Sequence, residues 1–316
     1  MIISTLQHFN HFNNFNHYKH FKHFNHLNKV ETTDILKKVR KIEIKTRGLS
    51  AHLFAGEYHS AFKGRGMSFS EVREYQYGDD IRNIDWNVTA RFDKPYIKVF
   101  EEERELTNII MVDVSGSLDF GSDTMSKRDY VTEIAACLSF SAITNNDKIG
   151  VILFSDIIEK FIPPKKGRQH ILRIIRELLT FQPQGKGTDA AMALRYLTNV
   201  IKKRSTVFMI SDFICPDFSD ALRIASHKHD MMALNVYDKR ELEFPSVGLV
   251  AMQDAESGQY RLVDTSSSAV REHLRKTAMQ RMENNANTFR HAGVDCAVLA
   301  DSEDYVKPLI KLFKQR

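Results

Sequence analysis

A chain of 316 residues with 42% hydrophobic content is long enough for one large domain and a smaller unit. Net charge is +5, but residues 1–28 hold Lys19, Lys22 and no acid; the other 43 basic and 40 acidic side chains are too balanced to argue for nucleic acid. Cys137, Cys215 and Cys296 have no spacing that suits a disulfide framework, and neither a membrane-length apolar run nor a signal peptide is legible, so a cytoplasmic protein without a transmembrane segment is expected.

Within residues 1–28 the chain repeats with period three from His8. Phe9, Phe12, Phe15, Tyr18, Phe21, Phe24 and Leu27 share one phase, and histidines fill another. On a helix such a period drifts by about 60° per repeat, and it fits no strand, so a low-complexity, disordered tail is expected.

A helix-containing and strand-containing lobe is expected over 29–107. Thr32, Thr33 and Asp34 offer N-caps for a helix with Ile35, Leu36, Val39 and Ile42 at helical spacing, ending near Gly48. Beyond it, charges of alternating sign from Arg65 to Arg91 suggest an ion-pair network. Asp79 and Asp80 are adjacent, and adjacent side chains on an extended chain point apart, which argues against a catalytic pair. Trp86, the single tryptophan, is expected to be buried between the lobe and the main domain.

From 108 to 316, strand-like and helix-like stretches alternate. Strands are expected at 108–113, 148–155, 206–211, 231–237 and 294–299. Helices are expected at 128–145, 168–181, 189–203, 217–228, 267–291 and 302–314, with a β-hairpin over 247–264 turning at "ESG". Repeated βα units predict an α/β fold with a mainly parallel sheet and helices on both faces.

The stretch "NIIMVDVSGSLDFGS", residues 108–122, drives a buried strand into Asp113, Ser115 and Ser117. Ligands of open α/β sheets sit at the carboxyl ends of strands. An acid with two hydroxyls is a hard, oxygen-only set suited to Mg²⁺ or Mn²⁺. A helix cap or a turn explains the same string equally well. Two other loops add to it: "GKGTDAAMAL" presents Thr188, and "FMISDF" ends in Asp212. Each has its own competing role as an N-cap.

Together, D-V-S-G-S at 113–117, Thr188 and Asp212 resemble the metal-ion-dependent adhesion site of von Willebrand factor A domains. The blocks "GRGMSFSEVREYQYGDDIRNIDWNVTAR" and "YIKVFEEERE", followed by that strand, closely resemble the bacterial MoxR-associated family called domain of unknown function 58. The resemblance implies a Rossmann-like von Willebrand A fold over 108–316. It also implies a Mg²⁺ (or Mn²⁺) ion touched directly by Ser115, Ser117 and Thr188, with Asp113 and Asp212 acting largely through water. The expected function is a non-enzymatic, metal-dependent protein-binding adaptor that works with a MoxR-type AAA+ ATPase, and with other von Willebrand A proteins, in assembly or maturation of complexes. A partner carboxylate is expected at the metal. The alternative is a Mg²⁺-dependent phosphohydrolase using the same site. Against it stand the missing P-loop, the lack of a placed general base, and the lack of a second carboxylate cluster in the sequence.

Overall fold

The computed structural model describes residues 6–7, 37, 39–46, 68–92, 94–101, 106–119, 121–122, 125–253, 260–301 and 303–315. Of residues 1–28 only Leu6–Gln7, ahead of the repeat, is among them, paired antiparallel with Ala251 and Met252; the repeat itself lies outside the described residues. The caps at 32–34 and the "ESG" turn lie outside the described residues. Residues 39–46 are helical, and Val39 and Ile42 pack into the core of the main domain.

In the lobe, β1 (Ser68–Glu74) pairs antiparallel with β2 (Tyr96–Glu101). The charged residues between them work locally. Arg73 grips Asp79 at 2.7 and 2.9 Å, Asp80 accepts from Arg82 N, and Lys94 meets Glu74 at 2.8 Å. Asp79 and Asp80 therefore act separately. Trp86 corrects the expectation placed on it, being 70% exposed. Asp85 is the residue this turn buries, because its carboxylate caps the short helix Trp86–Thr89 by accepting from Asn87 N and Val88 N.

The main domain follows the expected alternation. β3 (Thr107–Asp113) leads to α1 (Lys127–Thr144), β4 (Lys148–Phe154), β5 (Ile158–Lys165), α2 (Arg168–Thr180) and α3 (Ala190–Val200). Then come β6 (Thr206–Ser211), α4 (Ser219–Lys228), β7 (Asp230–Tyr237) and the short α5 (Lys239–Leu242). The hairpin β8 (Leu249–Gln253) and β9 (Tyr260–Asp264), α6 (Ser268–His291), β10 (Asp295–Ala300) and α7 (Val306–Lys314) complete it.

Six strands form one sheet in the order β10-β7-β6-β3-β4-β5, parallel except for β5. This is a doubly wound arrangement with an antiparallel edge. β5 is absent from the expected strands because Pro163 and Pro164 interrupt its pattern, and proline is tolerated on an edge. Gly150 lets that edge approach: a Cβ there would sit 2.9 Å from the backbone nitrogen of Pro164.

Alternate residues of β3 feed the two cores. Ile110 and Val112 face α1, α2 and α7, whereas Ile109 and Met111 join α3, α4 and α6. Burial on both faces is why these strands read as unbroken apolar runs. Truncating any one of them to alanine would cost about 2–5 kcal/mol.

Candidate metal site

The chain leaves β3 toward β4 on one side and returns as β6 on the other, so their loops diverge at the carboxyl ends and open a crevice. Asp113 ends β3, and Asp212 follows β6 directly. Ser211 Oγ donates to Asp113 Oδ2 at 2.6 Å and itself accepts from Phe213 N at 2.9 Å. On the other oxygen, Asp113 Oδ1 accepts from Ser115 N at 2.9 Å, an Asx turn that swings the chain into the 3₁₀ turn Gly116–Asp119. This places Ser115 Oγ 3.0 Å from Ser117 Oγ. The turn reading of the D-x-S-x-S string is thus part of the site's construction.

Thr188 arrives on a loop held by another carboxylate. Glu159 Oε1 accepts from Ser155 Oγ, Gln184 N and Gly185 N at 2.8, 2.9 and 2.8 Å. The loop lies so close that a Cβ on Gly185 would collide with Ser155 and Asp156. Gly116 N donates to Lys186 O at 3.4 Å, which joins this loop to the D-x-S-x-S turn. Among the described residues no hydrogen bond links Thr188 to the other four candidates. The N-cap of α3 is Asp189, which accepts from Met192 N at 2.8 Å. Likewise Asp217, at the start of α4, accepts from Ser219 N. Neither Thr188 nor Asp212 is therefore spent on a cap, and all five candidates are buried.

The electrostatics are those of charge kept from water. Burial first, and the Asp212 carboxylate second, push Asp113 up to about 7. Burial also raises Asp212, opposed chiefly by Lys127. Asp212 Oδ1 accepts from Ile214 N at 3.2 Å, but Oδ2 has no hydrogen-bond partner.

Lys127 carried no signal in the sequence. It opens α1, is 2% exposed, and sets Nζ 4.0 Å from Asp212 Oδ2 and 2.7 Å from Glu241 Oε1. Burial works against its charge, yet Glu241, Asp212 and Asp238 hold the ammonium above its ordinary value. Glu241 is in turn bound by Arg281 of α6 at 2.7 Å. Burial opposes its charge as well, and Lys127 and Arg281 keep the carboxyl below its usual range. Ser211, Lys127, Glu241 and Arg281 were all missed, since only the folded chain brings them to Asp113 and Asp212.

Two repelling buried carboxylates, one with an orphaned oxygen, and three neutral hydroxyls fit a hard divalent cation. Bound there, it would offset the repulsion and occupy the orphaned oxygen. Among the described residues no group of three or more His, Cys, Asp or Glu side chains is assembled to hold a metal. Such a site would depend on hydroxyls and water, as Mg²⁺ sites commonly do.

A family profile described as "Protein of unknown function DUF58" matches residues 71–284. An uncharacterized protein of Mycobacterium tuberculosis is 30% identical over 290 residues, spanning 91% of each chain. Among solved structures, the conserved hypothetical protein BatB from Bacteroides thetaiotaomicron overlays 66% of this chain and 98% of its own, with a TM-score of 0.43 and 14% identity. The SpRpn10 VWA domain overlays 67% and 95%, with a TM-score of 0.39 and 8% identity.

Proposed function

The chain belongs to the DUF58 family of proteins of unknown function, and from that premise we propose that it is a metal-dependent, protein-binding adaptor. Ser115, Ser117 and Thr188 hold Mg²⁺ (or Mn²⁺) directly, and Asp113 and Asp212 act largely through water. When bound, the ion supplies a Lewis-acidic position open to a carboxylate of the partner. Ser211 fixes the Asp113 carboxylate, and the Glu159-held loop presents Thr188. Lys127 limits the charge left on Asp212. The partner is a MoxR-type AAA+ ATPase, with assembly or maturation of other complexes as the process served.

The observation that carries this reading is the orphaned Asp212 Oδ2 beside a second buried carboxylate. A closed structural network would leave no such oxygen. Three neutral hydroxyls add no negative charge, so an ion held there stays attractive to an incoming acid. None of the three thiols is an activated nucleophile, since burial pushes Cys137, Cys215 and Cys296 each up to about 12. No helix among the described residues is long and apolar enough to cross a membrane.

The test is calorimetric titration of the MoxR-type ATPase encoded nearest in the same genome, in Mg²⁺ and in EDTA. Ser115→Ala and Thr188→Ala are each expected to weaken binding by roughly 30-fold or more, about 2 kcal/mol, and EDTA to do the same to the wild type. Equal affinity of both variants and the wild type, with and without chelator, sinks the proposal. Metal-dependent turnover of phosphate esters that vanishes in Asp113→Ala would favour the hydrolase instead.

A further inference from the structure

Four of the five parallel strands run into an aspartate. Asp113 and Asp212 belong to the site above; Asp238 follows β7 and Asp301 follows β10. These two strands are neighbours, with Tyr237 in register with Ala300, so Asp238 and Asp301 emerge side by side. Asp301 N donates to Tyr237 O at 3.0 Å, which carries the pairing one step past the strands. The fold thereby assembles the second carboxylate pair that the sequence did not reveal.

Both acids are shut off from solvent, Asp238 at 1% exposure and Asp301 at 3%. Asp238 Oδ1 caps α5 by accepting from Arg240 N at 2.8 Å, but its Oδ2 has no partner. Neither carboxylate oxygen of Asp301 has one. Three nearby cations contact other carboxylates. Lys127 and Arg281 both contact Glu241 at 2.7 Å, and Lys239 contacts Glu303 at 2.6 Å. Burial, and then the field of Asp238, push Asp301 up to about 6, opposed by Lys127 and Arg240, neither of which hydrogen-bonds its carboxylate. Buried carboxylates normally have a partner or a metal.

We propose that Asp238 and Asp301 form a second cation site, for a hard divalent ion of the Mg²⁺ or Mn²⁺ class, at the carboxyl ends of β7 and β10. Two carboxylates and retained waters are a sufficient donor set for such an ion, and an all-oxygen set without thiol or imidazole disfavours zinc. This site does not rest on the proposed function, because it shares no ligand with the adhesion-type site. The Lys127 ammonium is felt by both acid pairs, which couples the affinities of the two sites.

Metal-stripped protein titrated with MnCl₂ at pH 7.5, with free Mn²⁺ read by electron paramagnetic resonance, tests this directly. The wild type is expected to take up two equivalents. Asp301→Asn and Asp238→Asn should each lose one, and Ser115→Ala should lose the other. If Ser115→Ala retains two equivalents while Asp301→Asn drops one, the second site stands and the adhesion-type site falls. Retention of full stoichiometry in both aspartate variants overturns the second site; it would mean that the acids share a proton. Should the aspartate variants fail to fold, Ser115→Ala alone decides: one remaining equivalent supports the site, and none overturns it.

Discussion

The amino and carboxyl edges of the central sheet treat buried acid in different ways. At the amino end, Asp147 Oδ1 accepts from Leu106 N at 2.9 Å and Oδ2 from Asn108 Nδ2 at 3.2 Å, tying the α1–β4 turn to the start of β3. At the carboxyl edge, Asp212 after β6, Asp238 after β7 and Asp301 after β10 all keep oxygens without hydrogen-bond partners, and Asp212 Oδ2 has only the Lys127 ammonium at 4.0 Å. A buried charge whose oxygens are filled by the protein is a staple. One whose oxygens are left open costs stability, and it persists where something outside the chain completes it.

The largest expected effect is at Lys127, the buried ammonium beside Asp212 and Glu241. Lys127→Met should cost about 3–5 kcal/mol in urea unfolding, because it strips a buried counter-charge from Asp212 and part of that from Glu241. A loss near zero would show that the carboxyl edge is not a charged site, and the contrast between the two edges would collapse.

Next in size is the pH response of His229, which is buried at the amino end of β7 with neither ring nitrogen partnered. Burial lowers its pKa to about 4 from an ordinary 6.5. The folded state therefore resists a proton that the unfolded chain accepts. Its contribution is complete above pH 6.5 and is lost as pH falls toward 4, by about 3 kcal/mol at 1.36 kcal/mol per unit. Asp113, raised to about 7, works in the opposite sense over the same window. The measurable quantity is thus the stability of the wild type minus that of His229→Leu, which should fall by that amount from pH 7 to pH 4. A flat difference would contradict it.

Asp147→Ala should cost about 2 kcal/mol by removing two charge-assisted hydrogen bonds, equally in Mg²⁺ and in EDTA. Asp212→Asn should change stability in EDTA by less than about 1 kcal/mol, since it removes a buried charge along with an acceptor, but it should shrink the Mg²⁺-dependent rise in Tm to the part that the Asp238–Asp301 site supplies. If both variants respond to Mg²⁺ alike, the two edges are equivalent after all. Smallest of all is Trp86→Ala, expected within about 0.5 kcal/mol of wild type, because the ring is exposed; free quenching of its emission by acrylamide checks the placement.

The strands β3, β4, β6, β7 and β10 were legible to within a residue or so because burial on both faces writes itself as an apolar run. Asp113, Ser115, Ser117, Thr188 and Asp212 stood out as a motif in the loops beyond such runs, and all five are buried; their joint use as metal ligands belongs to the proposal. Trp86 was misplaced because membership of a distinctive block says nothing about which way a side chain points. There the cap needed the Asp85 carboxylate inside and left the indole out.

What the sequence determined by itself is therefore local: apolar periodicity, glycine and proline punctuation, and the acids and hydroxyls that end each strand. Only the tertiary structure decided which of those groups meet. Strand order set Asp212 beside Asp113, and the register of β7 with β10 set Asp238 beside Asp301. The closed fold brought Lys127 of α1 to Glu241 of α5 across 114 residues of chain, and Arg281 of α6 to the same carboxylate across 40. Whether a buried oxygen finds a partner depends on everything within about 3 Å of it, and that neighbourhood exists only after the chain has closed on itself.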